Sequence, residues 1–296
     1  MNVIFIGDLH LKGSSPISRL DDYPTTILNK LEYIANSINP KRCGTIIILG
    51  DVFDSPITSL QYLSQVINTF KNVSEKGFKV YTIVGNHDIK NNRMDSLPST
   101  ALGILLSTGC VKLAPKELAI NNTVFRCYNY PDEIESKKTD SYEVCVAHRY
   151  YDFGLAGDSL NEDDLKRLNY DAMVLGHLHT PCDTRIIGNT TLYMPGSLSR
   201  NTSEPYNKLR TPRILVFNCI NHSGTYVNVQ CKPAEEVFVN QVESNNQQGL
   251  SMKDLIKFIT TSYSSADMNV RDYFNNLSIP YECREKIVKY LDAIGA

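Results

Sequence analysis

The sequence predicts an α/β protein built as a four-layer αββα sandwich, two facing sheets flanked by helices, with a small C-terminal helical extension. Three observations carry that prediction. Short apolar runs such as Val3-Ile4-Phe5-Ile6 and Thr45-Ile46-Ile47-Ile48-Leu49 alternate with amphipathic segments through the first half, as in βαβ units whose sheet is buried on both faces. The second half shifts to strands joined by short turns. Five of the runs end in a polar cluster of Asp, Asn or His, and ligands of open α/β sheets sit at the carboxyl ends of strands.

Residues 3–6 form the first strand, followed by a loop with Asp8 and His10. Residues 25–38 carry Ile27, Leu28, Leu31, Ile34 and Ile38 at helical spacing. The β-branched run 45–49 ends in Gly50-Asp51, and a second helix over 59–74 presents Leu60, Leu63, Val66, Ile67 and Phe70 on one face. Strand 79–84 then delivers Gly85-Asn86-His87-Asp88. After a helix near 97–107, residues 117–120 and 123–128 flank Asn121-Asn122 as a hairpin. A polar loop over 132–141 precedes the buried strand 143–147, which ends at His148. A helix over 162–168 leads to strand 172–175 and to Gly176-His177-Leu178-His179. Runs 185–187, 191–194, 213–219 and 225–230 complete a first domain, 1–242, as antiparallel strands. An Asn/Gln/Ser-rich linker over 243–249 separates it from 250–296, where three amphipathic stripes follow a Ser251/Asp254 capping box. Such a segment either packs on its own domain or docks a partner.

A net charge of −2 argues against a wholly basic nucleic-acid coat while leaving room for a local basic patch. No apolar run reaches the ~20 residues needed to span a bilayer, so no membrane partner is expected. The N-terminus enters the first strand without a basic flank or cleavage site, unlike a signal peptide. The eight cysteines form no C-x-x-C pair, and most lie inside apolar runs. They read as buried thiols of a reduced, cytoplasmic compartment.

Five of the six histidines fall in the strand-end clusters, with only His222 outside. Taken singly, His10 is an ordinary loop histidine and Asp51 an ordinary helix cap. Taken together, Asp8, His10, Asp51, Asn86, His148, His177 and His179 make seven donors, about what two divalent ions need if one carboxylate bridges them. Nitrogen and oxygen ligation without thiolate suits manganese, iron or zinc better than calcium or magnesium.

The ordered set D-x-H, GD-x-x-D, GNHD, a lone H and GH-x-H resembles the calcineurin-like metallophosphoesterase superfamily over about residues 1–230. The resemblance implies one metal on Asp8, His10, Asp51 and His179, and another on Asp51, Asn86, His148 and His177, with Asp51 bridging. It makes His87 the catalytic residue that binds no metal, oriented by Asp88. Gly50-Asp51-Val52-Phe53-Asp54-Ser55 lacks the arginine that protein Ser/Thr phosphatases carry there. Asp8-Leu9-His10-Leu11, Gly50–Asp54 and Met194-Pro195-Gly196-Ser197-Leu198 instead resemble SbcD-type DNA nucleases. The implied protein is a compact, phage-type nuclease subunit of the cytoplasm, or of the host cytoplasm, that serves DNA repair and recombination. Its implied cofactors are two divalent ions, manganese foremost, and its implied partners are DNA and an SbcC-type coiled-coil ATPase, with homodimerisation left open. Little room remains between Gln230 and Ser251 for the DNA-capping domain of larger relatives. Lys12, Arg149 and Arg200 lie beside motifs and are candidates for holding flanking phosphates. Two other readings are a small-molecule phosphodiesterase or phosphatase, acting for example on a cyclic nucleotide, and a non-catalytic scaffold.

Overall fold

The computed structural model describes residues 2–152 and 159–239. The helices expected over 250–296, and the docking role attached to them, lie outside the described residues.

Among the described residues, twelve strands form two six-stranded sheets. In the first, β1 (Asn2–Ile6), β2 (Thr45–Ile48), β3 (Lys79–Thr82) and β4 (Val111–Leu113) run parallel. β11 (Arg213–Asn218) joins β1 antiparallel, and β12 (Ser223–Asn228) closes that edge. In the second, β6 (Thr123–Tyr128), β7 (Tyr142–His148), β8 (Ala172–Gly176) and β10 (Thr190–Met194) run parallel. β5 (Glu117–Ile120) and β9 (Cys182–Ile187) flank them antiparallel.

The apolar runs are continuous because both faces of the central strands are covered. Val3 and Phe5 of β1 point into the core between the sheets, whereas Ile4 and Ile6 point toward the helices. In β8, Ala172 and Val174 join the inter-sheet core while Met173 and Leu175 meet Leu165 and Leu168 of α4 (Glu162–Leu168). On the far side of the first sheet lie α1 (Tyr23–Ser37), α2 (Leu60–Glu75) and α3 (Ala101–Ser107). The side chain of Asp22 caps α1 on the Thr25 amide, and Ser59 caps α2 on the Tyr62 amide. The four expected layers are thus helices, sheet, sheet, helix.

Two expectations need correcting, and three short elements were unforeseen. The helix near 97–107 is a 3-10 turn, Met94–Ser99, followed by a separate α3. Pro98 supplies no amide to a helical ladder, and Thr100 is extended and caps Gly103 with its hydroxyl. The strand over 191–194 is not purely antiparallel: β10 slots between β9 and β8 and lies parallel to β8. Strand β4 and the short helices α5 (Pro205–Leu209) and α6 (Ala234–Val237) were not foreseen, being too brief to show a period. The seven described cysteines are free, as expected. Among the described residues, no helix is long and apolar enough to cross a membrane.

Candidate metal centre

Each strand-end cluster is held by backbone bonds to another. After β1, Asp8 and His10 are buried, and the amides of Leu9 and His10 both donate to the Asp51 carbonyl at 3.0 Å. His10 and Asp51 both have φ of +46°, and His177 has +80°. Left-handed backbone costs such residues about 1–3 kcal/mol each and persists only where surroundings enforce it. After β3 the chain turns through a 3-10 turn, Asn86–Asp88, in which the His87 amide donates to Asp51 Oδ1 at 2.9 Å. From the second sheet, β7 ends on His148 and β8 leads into His177, whose amide donates to Asp8 Oδ1 at 3.0 Å.

The ring nitrogens follow from their partners. His148 Nδ1 lies 2.7 Å from the Leu49 carbonyl, which only accepts, so Nδ1 carries the hydrogen and Nε2 offers a lone pair. That Nε2 is 3.0 Å from Asn86 Oδ1, 3.1 Å from His177 Nδ1 and 3.3 Å from Asp51 Oδ2. His10 Nε2 and His179 Nε2 face each other at 2.9 Å. Donors sharing one cation at bond lengths of about 2.1 Å sit roughly 3.0–3.4 Å apart, so these spacings fit divalent ions. Ligand atoms lie within 4.8 Å of one another in three groups: Asp8, His10 and His179; Asp51, His148 and His177; and His10, Asp51 and His87. All seven expected donors therefore meet, with Asp51 common to two groups. The carboxylates come from the first sheet, and His148, His177 and His179 from the second.

Electrostatics sorts the same residues. Burial works against the charge on Asp51, yet His148 and His10 hold its carboxyl well below the usual carboxylate range. Burial raises Asp8, the more so because Asp51 is close, although His148 partly offsets this. His148, despite its burial, is pushed up to about 9 by Asp51, so a cation taking its Nε2 lone pair must first displace a proton there near pH 7. Burial and the charge of His148 lower His177 to about 4, and burial with His10 lowers His179 to about 3. His177 and His179 are therefore neutral near pH 7, the form that binds a cation.

His87 is exposed, with its ring edge-on to His10 and centroids 5.0 Å apart. Its Nδ1 donates to the backbone carbonyl of Asp54 at 2.9 Å, which leaves Nε2 as the free ring nitrogen. Asp88 does not orient it. That carboxylate is fully buried and accepts from the amides of Phe53 and Gly85 at 3.0 and 2.9 Å. Consecutive residues of a 3-10 turn point about 120° apart, so the side chains of His87 and Asp88 diverge. Burial and the nearby Asp51 raise the Asp88 carboxyl to about 7.

Asp54 takes the orienting place, and spacing gave it no role beyond the second acid of GD-x-x-D. Besides its carbonyl bond to His87, its carboxylate is 3.5 Å from His10 Nδ1 and 2.9 Å from Lys12 Nζ. Burial opposes that charge, but His10 and Lys12 hold the carboxyl below its ordinary range. Lys12 is thus paired with Asp54. Arg149 lies over Tyr130 and donates to the Asp132 carbonyl. Arg200 is buried, lies over Phe238 and donates to the Lys232 carbonyl, so it is no phosphate contact. His222 stacks on Tyr142, apart from the centre.

The chain matches the model of the Calcineurin-like phosphoesterase family over residues 1–181, more than half its length. It is 23% identical over 234 residues to a DNA double-strand break repair protein Mre11 of Aeropyrum pernix, covering 71% of this chain and 56% of that one. It is 22% identical over 270 residues to the protein of the same description from Methanocaldococcus jannaschii, covering 83% of this chain and 72% of that one. The chain thus spans little more than half of the first relative. One solved structure aligns with a TM-score of 0.50 at 10% identity, covering 77% of this chain and 99% of the other, a likeness of fold alone. With the two-sheet architecture and the strand-end cluster of Asp, Asn and His, these matches establish that the chain is a metallophosphoesterase, a hydrolase of the calcineurin-like phosphoesterase family.

Proposed function

We propose that the chain is an SbcD-like DNA nuclease subunit that hydrolyses phosphodiester bonds with two divalent ions, manganese foremost. The observation that carries the reading is the convergence of seven nitrogen and oxygen donors: Asp8, His10 and His179 form one group, Asp51, His148 and His177 another with Asn86 beside it, and His10 lies 3.7 Å from Asp51 between them. The description of the two curated relatives as DNA double-strand break repair proteins supports DNA as the substrate. The likeness of the Asp8–Leu11, Gly50–Asp54 and Met194–Leu198 motifs to SbcD-type nucleases supports an SbcC-type coiled-coil ATPase as partner and repair or recombination as the setting. Asp8, His10, Asp51 and His179 would hold one ion, and Asp51, Asn86, His148 and His177 the other. Bound there, such a pair would supply charge neutralisation at phosphoryl oxygens and activation of water.

The protein's own groups do the rest. The Leu49 carbonyl takes the Nδ1 hydrogen of His148, and Asp54 accepts from His87 through its backbone carbonyl while its carboxylate lies 3.5 Å from His10 Nδ1. His87 keeps its Nδ1 hydrogen on the Asp54 carbonyl and offers Nε2 as the site from which a proton passes to the leaving oxygen. Purified protein with manganese should degrade labelled single- or double-stranded DNA and cleave bis-p-nitrophenyl phosphate, and chelator should stop both. Cleavage of the small ester without any action on DNA would favour the small-molecule phosphodiesterase reading. A folded, manganese-soaked chain holding no metal by elemental analysis would remove the enzymatic reading.

A further inference from the structure

The loop after β10 joins the two halves of the centre. The Ser197 amide donates to the His179 carbonyl at 3.0 Å, and the Ser197 hydroxyl donates to the Asp8 carbonyl at 2.8 Å. The Leu198 amide donates to the Gly7 carbonyl at 3.2 Å. One short loop therefore grips Asp8, carried by the first sheet, and His179, carried by the second. The approach is close: a Cβ on Gly7 would lie 2.2 Å from the Gly196 carbonyl, and one on Gly196 would lie 2.8 Å from the His179 carbonyl.

Each carbonyl from Ser197 to Arg200 accepts from a basic side chain. Arg210 donates to the Ser197 carbonyl at 2.6 Å and, with its other terminal nitrogen, to the Ser199 carbonyl. Lys30, buried on α1, donates to the Leu198 carbonyl at 3.0 Å, and Arg19 donates to the Arg200 carbonyl. Arg210 is itself held by Asn207 Oδ1 at 2.9 Å. A buried carbonyl needs one donor, and a neutral one suffices. Three basic side chains span four consecutive carbonyls, and the bonds from the two arginines fix the loop's path more firmly than satisfying its oxygens demands, because charge-assisted bonds are about twice as strong as neutral ones. None of the three side chains is a metal donor or lies in the groups described above.

We infer that Arg210 and Lys30 are positioning residues for the Asp8–His10–His179 group, acting through the 197–200 loop that sets Asp8 against His179 across the two sheets. The group formed by Asp51, His148 and His177 makes no bond to this loop and should be spared. The inference rests on reading both groups as metal sites.

The test is manganese binding by calorimetry on the full chain, with thermal melting as the control for folding. Arg210→Met should weaken one of the two manganese affinities by roughly 10–100-fold, the usual effect of removing support behind a ligand, and leave the other within about twofold. Arg210→Lys keeps the charge but loses one of the two bonds and should fall in between. Placed on His179→Ala, Arg210→Met should add no further loss; placed on His177→Ala, it should add its full effect. Parallel weakening of both affinities, or no weakening in a folded variant, overturns the inference. Should Arg210→Met not fold, Lys30→Met, which gives up a single bond, asks the same question by the same titration. If neither folds, the clamp serves the fold and the inference fails as well. A wild-type chain that binds no manganese would instead overturn the metal reading itself.

Discussion

Gly85→Ala tests the geometry of the centre with a single methyl group. The backbone of Gly85 has φ of −98°, which alanine adopts freely, so the substitution adds no backbone strain. What it adds is a collision: the new Cβ would lie 2.1 Å from Asp51 Oδ1 and 2.2 Å from the Asp51 amide nitrogen. Relaxed carbon–oxygen contacts are about 3.3 Å or longer, so Asp51 or the 85–88 turn must give way by about 1 Å. Either movement breaks the bond from the His87 amide to Asp51 Oδ1 and shifts the carboxylate common to two donor groups. Overpacking of this kind costs about 1–3 kcal/mol of stability. Misplacement by about 1 Å costs on the order of 10²-fold in rate. The assay is hydrolysis of bis-p-nitrophenyl phosphate with manganese, beside a melt and a metal titration. Gly109→Ala is the control, since φ there is +76° and a Cβ meets nothing within 4 Å. It should lose about 1 kcal/mol through backbone strain and no activity. A folded Gly85→Ala protein with wild-type metal affinity and a rate within about twofold of wild type would refute the collision argument.

His87→Ala should keep both ions while lowering turnover on DNA by roughly 10²–10⁴, the usual size of a lost proton donor. The loss should shrink for p-nitrophenolate, a good leaving group; equal losses on both substrates would limit His87 to positioning or electrostatics. Lys30 offers a pH test. Burial, helped by Arg200, presses its pKa from 10.5 down to about 7. Between those values the unfolded chain binds more protons than the folded one, so stability rises with pH across the window and the penalty is complete below it. Replacing Lys30 with Met should therefore stabilise the chain more at pH 6 than at pH 9.5, by a few kcal/mol in denaturant melts. A difference independent of pH would show that Lys30 keeps an ordinary pKa and stays charged in the fold, which would refute the burial argument.

The layers and the donors were legible for one reason: a strand covered on both faces must be continuously apolar. An acid or imidazole directly after 3–6, 45–49 or 172–175 therefore stands out as something other than core. Spatial neighbours could not be read that way. Asp88 follows His87 in the chain, yet the 3-10 turn sends the two side chains apart, and Asp54 does the work from another loop. Arg200 stood beside a motif as a candidate phosphate contact, but Phe238, some forty residues on, covers it. The insertion of β10 between β8 and β9 leaves no trace in hydrophobic period, because period reports which faces are buried and not which strands adjoin.

The division of the donors between the sheets bears on how the chain comes apart. His179 of one group, and both imidazoles of the other, belong to the second sheet, while Asp8 and Asp51 belong to the first. An ion seated in either group is gripped by both sheets, so the sheets cannot separate without surrendering it. Such a grip does not exist until the sheets have docked, and it cannot hasten their docking. Its effect would fall on the return journey: it would raise the barrier to opening and leave the approach to the folded state as it was, so bound ions would act on the lifetime of the fold more than on its formation.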